Sequence, residues 1–236
     1  MIEIKNISKS FGDKDVLLDV SASFHPGKTN LIIGTSGSGK TVLMKIMVGL
    51  MKPEKGSVLY EGKDIVSIDP KELKDIRTQI GMLFQGGALF DSQTVEQNVM
   101  FPLDMFTRKT RKEKLVRVNE VLERVNLQAA NHKFPSEISG GMKKRVALAR
   151  AIVMNPKFLF CDEPNSGLDP KTSIVIDELI QDITKEYNIT TIINTHDMNT
   201  VMERGDHIVY MHKGYKKWEG SNKEIIFSKD EDLNQF

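Results

Sequence analysis

Gly34-Thr35-Ser36-Gly37-Ser38-Gly39-Lys40-Thr41 reads G-x-x-x-x-G-K-T. The run before it, Thr29-Asn30-Leu31-Ile32-Ile33, is short, apolar and β-branched, as a buried strand is. The run after it, Val42 to Leu50, suits a helix. Glycines at 34, 37 and 39 let successive backbone N–H groups point inward, and the positive end of the helix dipole adds to them, making a seat for phosphate. Lys40 can then reach the β- and γ-phosphates of a nucleotide, and Thr41 can offer its hydroxyl to Mg²⁺. By itself the motif says nucleotide binding and no more.

Three further stretches bear on the fate of that nucleotide. Phe158-Leu159-Phe160-Cys161-Asp162-Glu163 is an apolar strand ending in two carboxylates. Neighbours on a strand point to opposite faces, so the two serve different ends. One can hold Mg²⁺ through water, and the other can polarise a water beside the γ-phosphate. His196 follows the apolar run Ile189-Thr190-Thr191-Ile192-Ile193, a position from which it can bond a γ-phosphate or hold that water, although a lone histidine is more often structural. Ile138-Ser139-Gly140-Gly141-Met142 precedes a helix carrying Lys143, Lys144 and Arg145. Serine as N-cap followed by glycines makes a second phosphate-binding helix end, so each site reads as half of a composite.

The 236 residues suffice for one large domain, and a formal net charge of +1 offers no global field for nucleic acid or anionic membrane. No apolar run approaches the roughly 18 residues of a membrane span, and the start, Met1-Ile2-Glu3-Ile4-Lys5, has no signal-peptide core. Cys161 is the single cysteine, which suits a reducing compartment. These features predict a cytoplasmic chain that any membrane role would tether through another subunit.

Ile2, Ile4, Ile7 and Val16 to Phe24 read as strands paired around a turn at Gly12-Asp13, and Phe11 between them either stacks on a purine base or packs in the core. Turns are predicted at Pro53–Gly56 and Glu61–Asp64, around a strand at Ser57–Tyr60. Asp69-Pro70-Lys71-Glu72 is a helix start, and Ile80 to Phe84 a strand ending at Gln85. Gly86-Gly87-Ala88-Leu89-Phe90 is either an exposed apolar contact surface or a buried loop. Residues 94–154 are mostly helical, with a capping box at Thr110–Glu113 and Leu115, Val118, Val121, Leu122 and Val125 at helical spacing. The basic run Arg108, Lys109, Arg111, Lys112, Lys114 and Arg117 reads as a solvated face, or as a patch for lipid headgroups or another subunit. Helices at about 170–186 and at Met198–Arg204 alternate with strands at Phe158–Cys161, Ile189–Ile193 and His207–Met211, which implies a parallel sheet. Met44, Met47, Met51 and Trp218 read as packing, and the tail from Ser228 to Phe236 either docks or is loose.

In this order, the motifs resemble those of the ATP-binding subunit of ABC transporters, over nearly the whole chain. Gly34 to Thr41 matches the Walker A motif, Gln85 the Q-loop, and Ser139-Gly140-Gly141 the signature. Phe158 to Asp162 matches Walker B, followed by its catalytic glutamate, Glu163. Ser166-Gly167-Leu168-Asp169 matches the D-loop, His196 the switch histidine, and Phe11 the aromatic that stacks on adenine. The resemblance implies an α/β P-loop NTPase fold: a RecA-like parallel sheet core with an N-terminal antiparallel β subdomain, plus an α-helical subdomain. It implies one domain, with 1–93 and 155–236 as catalytic core and 94–154 as the helical part carrying the signature. The cofactors implied are ATP and Mg²⁺. ATP would be held by Phe11, Gly34, Thr35, Ser36, Gly37, Ser38, Gly39, Lys40, Thr41, Val42, Ser139, Gly140, Gly141 and Asp169. Mg²⁺ would be held by Thr41, Gln85 and Asp162, and Glu163, His196, Lys40 and Gln85 would be catalytic. Two copies would close head to tail on two ATP molecules, and a membrane permease would dock a coupling helix at Gln85–Phe90, on the cytoplasmic face of the inner membrane.

Met142 stands where the signature usually has glutamine. With Gln85-Gly86-Gly87-Ala88-Leu89-Phe90 and the ending Asp232-Leu233-Asn234-Gln235-Phe236, it resembles the ATPases of Mla/Mce-type lipid-trafficking systems. That implies phospholipid transport and an Mce-domain lipid-binding partner. Methionine cannot donate a side-chain hydrogen bond, so Ser139 and backbone donors would carry the phosphate contact. The alternatives are a cassette for another small substrate, a soluble non-transport ATPase and a non-catalytic regulator. The absence of any sustained heptad run argues against repair or chromosome ATPases, and the complete Lys40, Asp162, Glu163 and His196 set argues against a regulator.

Overall fold

A computed structural model describes residues 1–235. The first two strands, β1 (Ile2–Phe11) and β2 (Lys14–Phe24), form the expected hairpin. Then come β3 (Thr29–Ile33), α1 (Lys40–Met47), β4 (Lys55–Tyr60), β5 (Lys63–Asp64), α2 (Pro70–Arg77) and β6 (Ile80–Leu83). The helices α3 (Val95–Phe106), α4 (Arg111–Arg124) and α5 (Gly140–Ile152) follow. The chain then alternates through β7 (Phe158–Asp162), α6 (Pro170–Glu186), β8 (Thr190–Thr195), α7 (Met198–Arg204) and β9 (His207–His212). It closes with β10 (Tyr215–Gly220), α8 (Asn222–Ile225) and α9 (Glu231–Gln235).

Two sheets result. The smaller is antiparallel in the order β2-β1-β4-β5, and the larger runs β10-β9-β3-β8-β7-β6. All pairings in the larger sheet are parallel except β10 with β9. Its central strands are continuous apolar runs because both faces are covered. Leu31, Ile33, Leu159, Cys161 and Ile193 face one core with Val99, Val121, Val146 and Ile180 of the helices. Ile32, Phe160 and Ile192 face the other, where Leu43, Met44 and Met47 of α1 are packed with Ile2, Ile4 and Phe24 of the smaller sheet. The helix at α1 is thus clamped between two sheets, and its N-terminus is fixed in space by apolar packing on both sides.

The capping residues act as the sequence suggests. Asp69 accepts from the Lys71 N–H, and Thr110 and Glu113 close a capping box. Several boundaries differ from expectation. β4 begins at Lys55, inside the expected turn, and Lys63–Asp64 form a short strand against Leu59–Tyr60 rather than a turn. β8 extends two residues further than Ile193 because Asn194 and Thr195 are held by parallel pairing with Asp162 and Ile33. β10 was not anticipated: its polar Lys-Lys-Trp-Glu sequence lacks an apolar face, and it forms as an edge strand on β9. Of the basic run, Lys114 is paired with Asp104, and Arg117 ties α4 to the carbonyls of Ile152 and Val153, whereas Arg108, Lys109, Arg111 and Lys112 are exposed. The tail docks through buried Leu233, and Phe236 lies outside the described residues.

Candidate active site

Parallel register brings the site together. Leu83 pairs with Cys161, Asp162 with Asn194, and Ile33 with Thr195, so four strand ends stand level. The loops that follow them, beginning at Gly34, Phe84, Glu163 and His196, open at one edge of the sheet, where α/β folds place ligands. An open cleft of about 960 Å³ lies there, lined by Thr35 to Val42, Gln85, Glu163 and His196.

The loop from β3 to α1 has a fixed form. Gly34 has a φ of 145°, and a Cβ on it would sit 2.1 Å from the Met211 carbonyl oxygen, so only glycine fits. Gly39 caps α1 without a side-chain hydrogen bond, leaving the N–H groups of the first turn for a ligand. The Lys40 ammonium donates to the carbonyls of Gly34 at 2.6 Å and Thr35 at 3.1 Å. Burial lowers its pKa, opposed by the charges of Glu163 and Asp162. The buried Ser38 hydroxyl has no partner among the described residues, and Thr41 is exposed.

Asp162 and Glu163 are separated, but not by strand pleating. The strand stops at Asp162, and Glu163 adopts a φ of 48°, a left-handed conformation costing about 1–2 kcal/mol for a residue with a side chain. Its N–H donates to the Asn194 carbonyl at 3.0 Å, and its own carbonyl accepts from the Ser166 N–H at 3.1 Å. The turn aims the carboxylate at His196, whose Nδ1 lies 2.7 Å from Oε2. A carboxylate only accepts, so Nδ1 carries the proton of this contact and Nε2 is left for another partner. Asp162 accepts instead from Asn194 Nδ2 at 3.0 Å. The Gln85 side-chain amide donates to the Ser166 hydroxyl at 3.3 Å.

Ser139, Gly140, Gly141 and Asp169 lie outside this cleft. Ser139 caps α5 by accepting from the Met142 N–H at 3.3 Å. Asp169 caps α6, accepting from the N–H groups of Lys171 and Thr172. The two helix ends abut: a Cβ on Gly141 would meet Thr172 Cγ2 at 2.5 Å. The N-termini of α1 and α5 thus stand at separate places in the chain. Phe11 is exposed rather than core, at the tip of the β1–β2 hairpin, with the Lys9 ammonium 5.4 Å above its ring centre.

Sequence reading missed Lys14, Asp15, Val16, Lys213, Gly214 and Gln235 on the cleft wall. Lys213-Gly214 turns the chain between β9 and β10, and Gly214 N–H holds the Ser38 carbonyl at 3.2 Å. The Lys-Gly pair was a turn signal, but only the unseen strand β10 gives it a place. The phosphate groups of a nucleotide fit the cleft, where the uncapped N–H donors of α1 stand beside the Lys40 ammonium. The hydroxyl of Thr41 and the carboxylate of Asp162 are hard oxygen donors of the kind Mg²⁺ takes alongside phosphate and water.

Comparison with known proteins agrees with this geometry. The family model described as ABC transporter matches residues 17–166. The chain is 40% identical over 235 residues to the "Probable ribonucleotide transport ATP-binding protein mkl" of Mycobacterium leprae (strain TN), covering 100% of this chain and 68% of that one. It is 38% identical to the "Methionine import ATP-binding protein MetN" of Clostridioides difficile (strain 630), covering 100% of this chain and 73% of that one. Among solved structures, it superposes with a TM-score of 0.85 and 33% identity on the dimeric post-hydrolysis state of the ATP-binding cassette MJ0796 bound to ADP and Pi, covering 94% of this chain and 99% of that one.

Proposed function

This chain belongs to the ABC transporter family as an ATP-binding subunit with ATPase activity, and from that premise we propose that it powers lipid trafficking, of phospholipid above all, at the cytoplasmic face of a bacterial inner membrane. The observation that carries the ATPase mechanism is the convergence of Lys40, Gln85, Glu163 and His196 on one cleft. In this reading, the first-turn N–H groups of α1 cradle the phosphates. Lys40 exchanges its two loop carbonyls for β- and γ-phosphate oxygens. Glu163 takes the proton of the attacking water, and His196 keeps Nδ1 on Glu163 while Nε2 meets the γ-phosphate. Thr41, Asp162 and Gln85 would hold Mg²⁺, which supplies charge neutralisation at the phosphates. Phe11 stacks on the adenine.

The separation of the two half-sites supports a pair of copies, head to tail; the related cassette MJ0796 is dimeric. Ser139 and Gly141 of one copy then face the nucleotide on the other, with Asp169 beside them. Residues 94–154 form the helical arm in this scheme. A groove of about 310 Å³, walled by Phe84, Phe90, Phe101, Phe106 and Arg150, supports docking of a coupling helix from a membrane permease. Arg150 holds its rim by donating to the carbonyls of Gly87 at 2.6 Å and Ala88 at 2.7 Å. Among the described residues, no helix is long and apolar enough to cross a membrane, so the permease supplies the anchor.

The lipid reading rests on Met142, the Gly86–Phe90 loop and the C-terminal segment. The names of the related proteins favour a second reading, a small solute such as a nucleotide or amino acid. Purification of Glu163→Gln from gently solubilised native membranes decides between them. The variant is expected to bind ATP while turnover falls about 10²-fold or more. Mass spectrometry should find a multi-pass permease, an Mce-type protein and phospholipid. A different permease without lipid supports the small-solute reading, and exclusively soluble partners overturn transport.

A further inference from the structure

Lys144 is 6% exposed, yet it carries an ammonium group into the protein behind the cleft. It sits one turn into α5, and its Nζ donates to the backbone carbonyl of Gln85 and, at 3.4 Å, to that of Glu163. These carbonyls belong to the loops that follow β6 and β7, loops that the Gln85 side chain also joins through the Ser166 hydroxyl. One cation therefore joins two loops and a helix. Burial lowers its pKa, while Cys161 first and then Glu163 and Asp162 counter that effect. An ammonium sequestered this way needs acceptors, and the two carbonyls supply them.

We propose that Lys144 is a positioning residue for ATP hydrolysis: it holds the Glu163 backbone in its left-handed turn and the Gln85 backbone beside it, linking the α5 helix to the base of its own chain. The inference rests on the assignment of Glu163 as the base. The left-handed turn at Glu163 is kept by what surrounds it. Asn194 fixes its N–H, and Ser166 and Lys144 share its carbonyl. Of these ties, only Lys144 comes from α5. That helix begins at Ser139, the end that meets the other copy's nucleotide in the paired arrangement. Movement of α5 on pairing therefore reaches Glu163 and Gln85 directly through one side chain. A chain that has not paired keeps its base aimed by the same lysine, with His196 on the carboxylate.

The test compares Lys144→Met, Lys144→Arg and Glu163→Gln in the full chain, reading ATP turnover against ATP concentration. Methionine keeps the length and removes the donors. Lys144→Met should lower kcat on the order of ten-fold with KM within about two-fold, because aim rather than binding is lost. Lys144→Arg keeps the charge and should return kcat to within about three-fold of the parent. Should Lys144→Met not fold, Lys144→Leu, which likewise removes donors and charge, is read for the same split. An unchanged kcat in the neutral variant, or a KM that rises in step with the loss, overturns the positioning role. Retained turnover in Glu163→Gln overturns the base assignment instead, so the two failures are separate.

Discussion

Two helix N-termini carry the proposed phosphate chemistry of this chain, and they are finished differently. At α1 the cap is Gly39, no side chain bonds the first turn, and a buried lysine stands beside it in the cleft. At α5 the cap is Ser139, which satisfies the Met142 N–H itself, and the helix end is exposed against the start of α6. The first end leaves its donors open for a ligand held by the same chain. The second is closed on itself, with the serine O–H as its spare donor, and it becomes useful only when another body is brought to it. One terminus is built to bind, the other to complete.

The comparison breaks or sharpens by substitution. Lys40→Ala removes two charge-assisted contacts at the binding end, and ATP affinity measured by calorimetry should fall on the order of 10³-fold. Unchanged affinity would mean that α1 is not the seat. Ser139→Ala acts at the completing end. It should leave the affinity of the isolated chain within about two-fold, yet reduce turnover about 10²-fold, as loss of one donor to a reacting phosphate does. It should also cost about 1 kcal/mol of stability for the lost cap. A loss of affinity as large as that of Lys40→Ala would erase the distinction between the ends.

Between the two ends, Asp177 of α6 accepts from Asn165 at 2.8 Å and from Thr200 at 2.7 Å, tying the loop after Glu163 to α7. Asp177→Ala should cost about 2 kcal/mol in a denaturant melt, whereas Asp177→Asn, which can keep both bonds, should cost under about 1. Burial raises the Asp177 pKa above its ordinary 3.8. The folded state therefore holds this proton more tightly than the unfolded state does. The group favours folding most below pH 3.8, and that contribution is lost as pH rises through and above the carboxylate range. Relative to Asp177→Asn, the parent should gain stability as pH is lowered.

The smallest effect serves as a control remote from both ends. His207 and then Lys216 hold the Glu219 carboxyl down to about 2 from 4.5. Its stabilisation is full above pH 4.5 and disappears as pH falls toward about 2. The Glu219 side chain is 33% exposed, so solvent screening leaves about 1 kcal/mol. Glu219→Gln should show that loss at pH 7 and little of it near pH 2, with ATP affinity unchanged.

Much of this was legible in the residues. The central strands announced themselves because burial on both faces leaves no room for polar alternation, and Asp69, Thr110 and Asp169 marked helix starts by local chemistry alone. Three members of the cleft were legible as strand ends: Gln85, Glu163 and His196 each follow an apolar run. Their division of labour was not, because the turn at Glu163, closed locally by Ser166, is held by Asn194 and Lys144, which are both distant in sequence. β10 was invisible for a related reason: an edge strand with both faces partly wet carries no apolar signature. Lys14 and Lys213 reach the cleft from two different sheets, and proximity of that kind is written only in the fold.

The level register of β6, β7, β8 and β3 also has a temporal meaning. Residues from 33 to 196 must find partners far along the chain before Lys40, Gln85, Glu163 and His196 share a cleft. Long-range pairings of this kind form late in folding. The phosphate loop itself waits on Met211 and Gly214, so a nascent chain lacks its finished form, and the onset of ATP hydrolysis reports that maturation is complete.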